Sequence, residues 1–290
     1  MELLLQTVID GLLMGGLIII IGVGFSLCFG VMHIVDFAVG EWVMLGAYAG
    51  YMMVRHFGHD AMFYLPVIFV IFSALGWVIY PVILQVVSGK RFNPAIMGLI
   101  FTFGLSITMK GGALTVWGYH IQSVPTWLTG KTLYLGPLTI PGLRVSGFFF
   151  GILVTLLLLA FLYKSNYGNV IRATAMDRDT ANLLGADVRK VGAFVYSLYA
   201  GITAMSGALI GALFSVHSVM GAKYTMLAFF VVVLAGMGYV PGVIPAAIIL
   251  GLLQSFVSVY IGGRFNLAAL FLVMYGVLLI TPKGIFRRGW

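Results

Sequence analysis

The stretch Gly11-Leu-Leu-Met-Gly-Gly-Leu-Ile-Ile-Ile-Ile-Gly-Val-Gly-Phe-Ser-Leu-Cys-Phe-Gly30 runs for 20 residues without a charged side chain. A helix needs about 20 mostly apolar residues to cross the hydrocarbon core of a bilayer. The stretch therefore predicts a transmembrane helix. Glu2 and Asp10 precede it and the first basic residue is Arg55, so the chain does not open with the basic region of a signal peptide. We expect this helix to be retained.

The composition of the whole chain extends this prediction beyond one helix. Of 290 residues, 61% are hydrophobic and 8% are charged, and the mean hydropathy is +1.10. Soluble domains carry roughly 25% charged residues, so a soluble catalytic domain is excluded. The net charge of +8 comes from basic residues scattered through short polar breaks, which is typical of topology signals and not of a surface that binds nucleic acid. We therefore predict an all-α fold, a polytopic membrane helix bundle of about eight or nine transmembrane helices.

Polar breaks divide the chain into hydrophobic segments of membrane-spanning length. They cover 11–30, 34–54, 61–87, 94–114, 145–163, 191–216, 224–239, 243–261 and 265–281. The second segment differs from the others because it contains Asp36 and Glu41 and is interrupted by Gly40. It is predicted either to cross the membrane or to form a broken or re-entrant helix.

The distribution of basic residues predicts the orientation of the chain. The breaks at 88–91, 164–190 and 283–290 should be cytoplasmic because positive charge is concentrated on that side of membrane proteins. Their basic residues are Lys90, Arg91, Lys164, Arg172, Arg178, Arg189, Lys190, Lys283, Arg287 and Arg288. The opposite side holds Arg55, Lys110, Lys131, Arg144, Lys223 and Arg264. Nine crossings with the N-terminus outside and the C-terminus in the cytoplasm satisfy this division.

Glycines four residues apart recur along the chain. The pairs are Gly11 with Gly15, Gly46 with Gly50, Gly147 with Gly151, and Gly207 with Gly211. Small residues at this spacing let helix backbones approach closely where lipid offers no hydrophobic drive for association. They predict a tightly packed bundle and not one particular dimer face.

The longest outer break, 115–144, is rich in aromatic residues and proline. It carries Trp117, Tyr119, Trp127, Tyr134, Pro125, Pro137 and Pro141. Aromatic side chains collect at the membrane–water interface, so the break is predicted to lie there. Docking of an external partner is the alternative interpretation.

Three patterns that would indicate other functions are incomplete. Cys28 is the single cysteine, so no disulfide or cysteine metal site is expected. Gly130-Lys131-Thr132 resembles the end of a phosphate-binding loop, but that loop needs glycine where Pro125 stands. Ser206 and His217 would lie roughly 16 Å apart on one helix, too far for a nucleophile and its base. We expect no enzymatic activity, no cofactor and no metal in this chain.

Asp36 and Glu41 are carboxylates within an apolar segment. An ionisable group at membrane depth is costly unless it is paired or faces water or protein. The two are about 140 degrees apart on an ideal helix, so a break near Gly40 would be needed for them to converge. They are predicted either to shape a polar route for a solute or to cap the ends of broken helices.

The inner break at 164–190 has the pattern of two short helices. Asp177 or Asp179 is placed to cap a helix over Thr180 to Leu184, and Gly185 is placed to end it. Ala181 and Leu184 give this helix an apolar face that is suited to a groove in a partner protein. A solvated linker, the alternative, would not need caps and an apolar face together.

Four collinear motifs span nearly the whole chain and carry a family resemblance. They are Gly22 to Tyr48, with Phe29-Gly30-Val31, Val35-Asp36-Phe37-Ala38-Val39-Gly40-Glu41 and Met44-Leu45-Gly46-Ala47-Tyr48; Ala181-Asn182-Leu183-Leu184-Gly185-Ala186-Asp187; Phe229 to Gly242, with Gly236-Met237-Gly238-Tyr239-Val240-Pro241-Gly242; and Thr281-Pro282-Lys283-Gly284-Ile285-Phe286. Together they resemble the permeases of the branched-chain amino acid ABC importers. The chain is more similar to the H-type of the two permease subunits.

The resemblance implies a set of partners and a location. It implies a second permease subunit in a heterodimer, two cytoplasmic ATPase subunits that hydrolyse ATP, an external solute-binding protein and surrounding lipid, with no nucleic acid. The chain is then one transmembrane permease domain, 1–290, in the bacterial inner (plasma) membrane, with a coupling hairpin at 168–190. We assign coupling to Arg172, Asp177, Arg178, Ala181, Leu184 and Gly185.

The solute route is assigned to Asp36, Phe37 and Glu41, and the solute itself stays open. The family usually reads Asn-Phe-Ala-His-Gly where this chain has Asp36-Phe37-Ala38-Val39-Gly40. Branched-chain amino acids, urea, short amides and aromatic acids are all candidates among relatives of the family. The alternative function is a secondary transporter driven by an ion gradient, with Asp36 and Glu41 as its coupling carboxylates.

Overall fold

The computed structural model describes residues 1–87, 93–135 and 138–286. It is a bundle of α-helices, and each of the nine predicted apolar segments contains one. The helices are α1 (Glu2–Met32), α2 (Val39–Phe57), α3 (Leu65–Val87), α4 (Pro94–Trp117), α5 (Gly142–Lys164), α6 (Asn166–Met176), α7 (Arg178–Leu183), α8 (Val188–Leu213), α9 (Gly221–Ala235), α10 (Val243–Val257) and α11 (Asn266–Ile280). Lys90, Arg91, Arg287 and Arg288, which were assigned to the cytoplasmic side, lie outside the described residues.

Six helical stretches of the described chain are long and apolar enough to cross a bilayer. They begin at Glu2, Ala61, Pro94, Gly142, Val188 and Val240, and the last of them contains both α10 and α11. Helix α9 is apolar but has 15 residues, and α2 has 19. The fold is the predicted all-α polytopic bundle. Nine crossings and the sidedness of the termini stay predictions.

Helices α1 and α8 form the centre of the bundle. In each, 83% of the most apolar window is buried, compared with 28% in α5 and 11% in α4. Helix α1 packs along α10, and α8 packs against α2 and α3. The sequences of α1 and α4 do not reveal this difference in burial, because apolar residues are spread nearly evenly around both helices. A helix in a bilayer is apolar whether its neighbours are protein or acyl chains.

The glycine pairs lie at the closest helix contacts. A Cβ atom on Gly46 of α2 would collide with the carbonyl oxygen of Ala204 in α8, and one on Gly207 would collide with the carbonyl oxygen of Val43. Gly11 and Gly15 lie against the backbone of α10 in the same way. The predicted tight packing is therefore confirmed at these contacts.

The break in the second segment precedes Gly40. Helix α1 ends at His33, which has a left-handed φ of 54°, and residues 33–38 carry no helix before α2 begins at Val39. Gly40 lies within the first turn of α2, where a Cβ would collide with the carbonyl oxygen of Gly221 in α9. The glycine is thus required for close approach to α9. The predicted break is present near Gly40, at 33–38, but Gly40 itself is helical and does not cause it.

The outer break contains a short β-hairpin that the sequence did not predict. Strand β1 (Thr132–Leu135) pairs antiparallel with β2 (Leu138–Pro141). The segment before it is attached to the bundle, because Gln122 pairs with Val216 and the Trp127 amide donates to Asp60 at 2.5 Å. Trp117 ends α4 and stacks on Tyr48 at 4.3 Å, so this side chain belongs to the bundle and not to an interfacial loop. Pro137 lies outside the described residues.

Candidate translocation cleft and coupling hairpin

Asp36 holds the segment that precedes α2. It is 1% exposed, its Oδ1 accepts the Ala38 amide at 2.7 Å, and its Oδ2 accepts the Tyr196 hydroxyl of α8 at 3.1 Å. Ala38 is the residue before α2, so this bond does not cap an amide of the helix itself. Asp36 therefore fastens the segment before α2 to α8.

Glu41 is directed toward different neighbours. It lies in the first turn of α2 and is 3% exposed. Its Oε1 accepts the Ser106 hydroxyl of α4 at 3.4 Å, while its Oε2 is buried without a hydrogen-bond partner. Asp36 and Glu41 are thus held by α8 and α4 respectively, and the structure does not bring the two carboxylates to one shared site.

A cleft of about 490 Å³ lies beside Glu41, between α2, α4, α9 and α11. Its wall is mainly apolar and includes five phenylalanines. The Phe37 ring packs against Phe103 and Phe229 with ring centroids 6.0 and 5.2 Å apart. The lining residues are Phe37, Glu41, Phe103, Ser106, Ile107, Lys110, Ala222, Thr225, Met226, Phe229, Phe230 and Phe271. Phe37 and Glu41 of the predicted route line this cleft, and Asp36 lies behind it.

Helix α4 contributes polar residues to the cleft that the sequence analysis did not select. The Thr102 hydroxyl accepts the Phe37 amide at 3.2 Å and donates to the Val35 carbonyl at 3.1 Å, so it holds the unwound segment before α2. Ser106 and Lys110 follow on the same side. The spacing of Thr102, Ser106 and Lys110, four residues each, is a polar stripe on an apolar helix, and it is the signal that would have located this wall.

The inner connection forms the predicted pair of short helices. The Ser165 hydroxyl accepts the Gly168 amide at 2.8 Å at the start of α6. Asp177 caps α7, since its Oδ1 accepts the amides of Asp179 at 2.9 Å and Thr180 at 3.1 Å. The Thr180 hydroxyl also donates to Asp177, and this bond is the first cause that holds the carboxyl pKa below its usual value. Of the two predicted caps, Asp177 is the one used.

The exposed apolar surface of the hairpin is formed by Leu183 and Leu184. They are 86% and 82% exposed, whereas Ala181 is 3% exposed. The expected joint face of Ala181 and Leu184 was therefore wrong, because Ala181 is on the inward side of α7. Gly185 follows with a φ of 91°, a left-handed conformation that ends the helix.

The arginines assigned to coupling are part of the hairpin but are less exposed than its two leucines. Arg172 of α6 donates to the Asn169 side chain at 2.8 Å and stacks over the Tyr163 ring at 4.5 Å. Arg178 begins α7 and is half-buried. Arg172 is thus held by α6 and α5, and Arg178 lies beside Tyr80 of α3. The exposed leucines present the most accessible apolar surface of the hairpin.

Comparison with known proteins places this architecture in context. Residues 7–281 match the family model described as "Branched-chain amino acid transport system / permease component". The chain is 28% identical to the high-affinity branched-chain amino acid transport system permease protein LivH of Salmonella typhimurium and to that of Escherichia coli, over 98% of this chain and 96% of each relative. It is 26% identical to the permease protein BraD of Pseudomonas aeruginosa over the same shares. No solved structure matches the chain.

Proposed function

The chain belongs to the family of branched-chain amino acid transport permease components, and we propose that it is a membrane subunit of an ATP-driven ABC importer. In this proposal a second permease subunit completes the membrane pair, two cytoplasmic ATPases supply the energy, and an external binding protein delivers the solute. The solute class is that named for the relatives, branched-chain amino acids. The whole chain acts as one permease domain, with the segment 168–190 as its coupling hairpin.

The observation that carries the proposal is the capped hairpin with two exposed leucines. Exposed apolar side chains on a polar connection outside the bundle favour binding to another protein. Capping by Ser165 and Asp177 gives both helices a defined geometry, which a mechanical contact requires. Arg172, Asp177, Arg178, Ala181 and Gly185 shape and support the hairpin, while Leu184 makes the contact with the ATPase.

The packing of α8 supports a mechanical link from the hairpin to the cleft. Helix α8 begins at Val188, directly after the hairpin, and crosses α2 with the backbones in contact at Gly46 and Gly207. No flexible side chain separates the helices at that crossing, so α2 must follow a displacement of α8. The first turn of α2 carries Glu41, and Phe37 precedes it. Movement at the hairpin is thereby converted into opening and closing of the solute route.

The proposed route passes through the cleft lined by Phe37 and Glu41, and Asp36 positions that wall from behind. Helix α4 is exposed along most of its length, and a Cβ on Gly104, Gly111 or Gly112 would meet no atom within 4 Å. We assign this side to the second permease subunit, which places the cleft near the interface of the pair.

The test replaces Leu184 by aspartate in the complete reconstituted transporter. We expect Leu184→Asp to abolish both solute uptake and binding-protein-stimulated ATP hydrolysis, because a charge replaces the apolar contact, while the pair still assembles. The matched control is Asn182→Asp, which adds the same charge to the hairpin without removing an apolar side chain.

Two results contradict the proposal. One is wild-type uptake by the Leu184→Asp transporter. The other is uptake that collapses with a proton uncoupler while ATP is held constant, which favours the gradient-driven alternative. The separation of Asp36 and Glu41 onto different neighbours argues against that alternative, because no shared ion site joins the two carboxylates.

A further inference from the structure

The cleft beside Glu41 has the dimensions and lining of a small-molecule site. Its volume of about 490 Å³ lies within the range of roughly 300–1,000 Å³ that is usual for ligand pockets. Phe37, Phe103, Phe229, Phe230 and Phe271 are the aromatic part of its mainly apolar wall. Such sites combine an apolar wall with a few polar groups that fix orientation, and here two of those polar groups, Glu41 and Lys110, are charged.

Glu41 supplies an acceptor that the protein leaves unused. The side chain is 97% buried, yet its Oε2 has no hydrogen-bond partner, and the Ser106 hydroxyl is at a long 3.4 Å from Oε1. Gly221 makes room for the carboxylate, because a Cβ there would collide with its oxygens. A buried carboxylate with a free lone pair is costly. Because Glu41 lines the cleft, a solute that enters it and shifts the carboxylate from Gly221 can supply the missing donor, and a charged ammonium group bonds a carboxylate more strongly than a neutral donor does.

Lys110 supplies the opposite charge on the same wall. It follows Ser106 by four residues on α4, which is a rise of about 6 Å along the helix. Among the described residues the ion pairs within 4.0 Å are Arg144–Asp10 and Lys190–Asp187, so Lys110 and Glu41 are not in direct contact. The cleft therefore presents a carboxylate and an ammonium group that are separated and available to a third molecule.

We propose that this cleft is a subsite for a zwitterionic amino acid with an apolar side chain. Glu41 accepts hydrogen bonds from the solute ammonium group, Lys110 pairs with the solute carboxylate, and the phenylalanines enclose its aliphatic side chain. The inference rests on the proposed transport function and deepens it by assigning the residues that select the solute.

The charge arrangement distinguishes this solute class from neutral and anionic solutes. Urea and short amides carry no charge to pair with either side chain. An aromatic acid brings a carboxylate that Lys110 attracts but Glu41 repels, and it has no donor for the free Oε2. A zwitterion satisfies both charges and remains neutral overall, which lowers the cost of its passage through the membrane.

The experiment measures binding of radiolabelled L-leucine to the complete transporter in lipid nanodiscs, without the external binding protein. The competitors are L-leucinamide, which lacks the carboxylate, and 4-methylpentanoate, which lacks the ammonium group. On the wild type we expect each analogue to compete about tenfold or more weakly than unlabelled L-leucine, because each leaves one buried charge unpaired. Acetamide and benzoate should compete more weakly still.

The variants assign the two charges separately. Glu41→Gln should lower the affinity for L-leucine and reduce the advantage of L-leucine over 4-methylpentanoate, because the ammonium group loses its partner. Lys110→Gln should instead reduce the advantage over L-leucinamide. Lys223→Gln is the matched control, since Lys223 lies over the Phe214 ring and does not line the cleft. It should keep wild-type discrimination.

The inference is overturned if L-leucine does not bind, if benzoate or acetamide binds better, or if both variants discriminate like the wild type. If Glu41→Gln fails to assemble, competition by the two analogues for L-leucine binding to the wild type and to Lys110→Gln still tests the subsite. Hydrolysis of ATP by the same nanodiscs, stimulated by loaded binding protein, separates the two proposals. If the variants hydrolyse ATP normally and discriminate between solutes as the wild type does, the subsite alone is refuted. If the wild type itself shows no stimulated ATP hydrolysis, the ATP-driven function is refuted.

Discussion

The crossing of α2 and α8 gives a quantitative prediction for one methyl group. In Gly46→Ala the new Cβ would meet the Ala204 carbonyl oxygen and lie 2.6 Å from the Ala204 Cα. These are backbone atoms, so a side-chain rotation cannot relieve the collision and the helices must separate. Overpacking of this kind costs about 1–3 kcal/mol.

Gly104→Ala in α4 is the matched control. The substitution is the same, the position is also inside a helix, and the new Cβ would meet nothing within 4 Å. Replacing glycine by alanine inside a helix stabilises it by about 0.5–1 kcal/mol. Because both variants share this gain, they should differ by the overpacking cost alone, about 1–3 kcal/mol in the free energy of unfolding in favour of Gly104→Ala, which is roughly a fivefold to 150-fold difference in the unfolding equilibrium.

The assay is reversible unfolding of the purified full chain in mixed micelles, followed by tryptophan fluorescence. Trp42 is 1% exposed, lies one turn before Gly46, and packs edge-on against Tyr196 of α8 at 6.4 Å. With the other four tryptophans of the chain replaced by phenylalanine in both variants, its emission reports separation of α2 from α8. If Gly46→Ala unfolds at the same denaturant fraction as Gly104→Ala, the backbone contact between α2 and α8 is refuted.

Two further predictions concern Asp177, which caps α7, and Asp36, which holds the segment before α2. In the hairpin, the folded-state pKa of Asp177 is below its usual value, so its contribution to hairpin stability is present above an ordinary aspartate pKa of about 3.9 and is lost as the pH falls through the lowered value. Thr180→Val should raise that pKa toward the usual range in an NMR titration, and an unchanged pKa would show that the hydroxyl is not the cause. In the bundle, Asp36→Ala leaves the buried Tyr196 hydroxyl and the Ala38 amide without their acceptor, at a cost of about 1–3 kcal/mol each. Asp36→Ala should lower the amount of assembled transporter more than it lowers transport by each assembled complex. A fully assembled but inactive transporter would instead place Asp36 on the solute route.

Much of the local structure was predictable because its causes are local. Uncharged runs of about 20 residues predict helices in a bilayer, and Asp177 and Gly185 mark the ends of α7 through bonds and dihedral angles within a few residues. The glycine pairs likewise indicated close packing. The break near Gly40 was predicted, but Gly40 was interpreted as its cause, whereas this glycine is required for the approach of α9 from 181 residues further along the chain.

The amino-acid sequence alone determined that this protein is a helical membrane bundle of the permease type with a capped inner hairpin, because hydropathy, caps and motifs depend on neighbours along the chain. Only the tertiary structure decided which apolar helices are central and that Asp36 and Glu41 have separate partners. It also brought Phe37, Glu41 and Lys110 to one cleft. In a bilayer every helix surface is apolar, so hydrophobicity cannot say which helix faces which. That choice is made by backbone contacts and buried polar groups between distant segments, which spacing along the chain does not reveal.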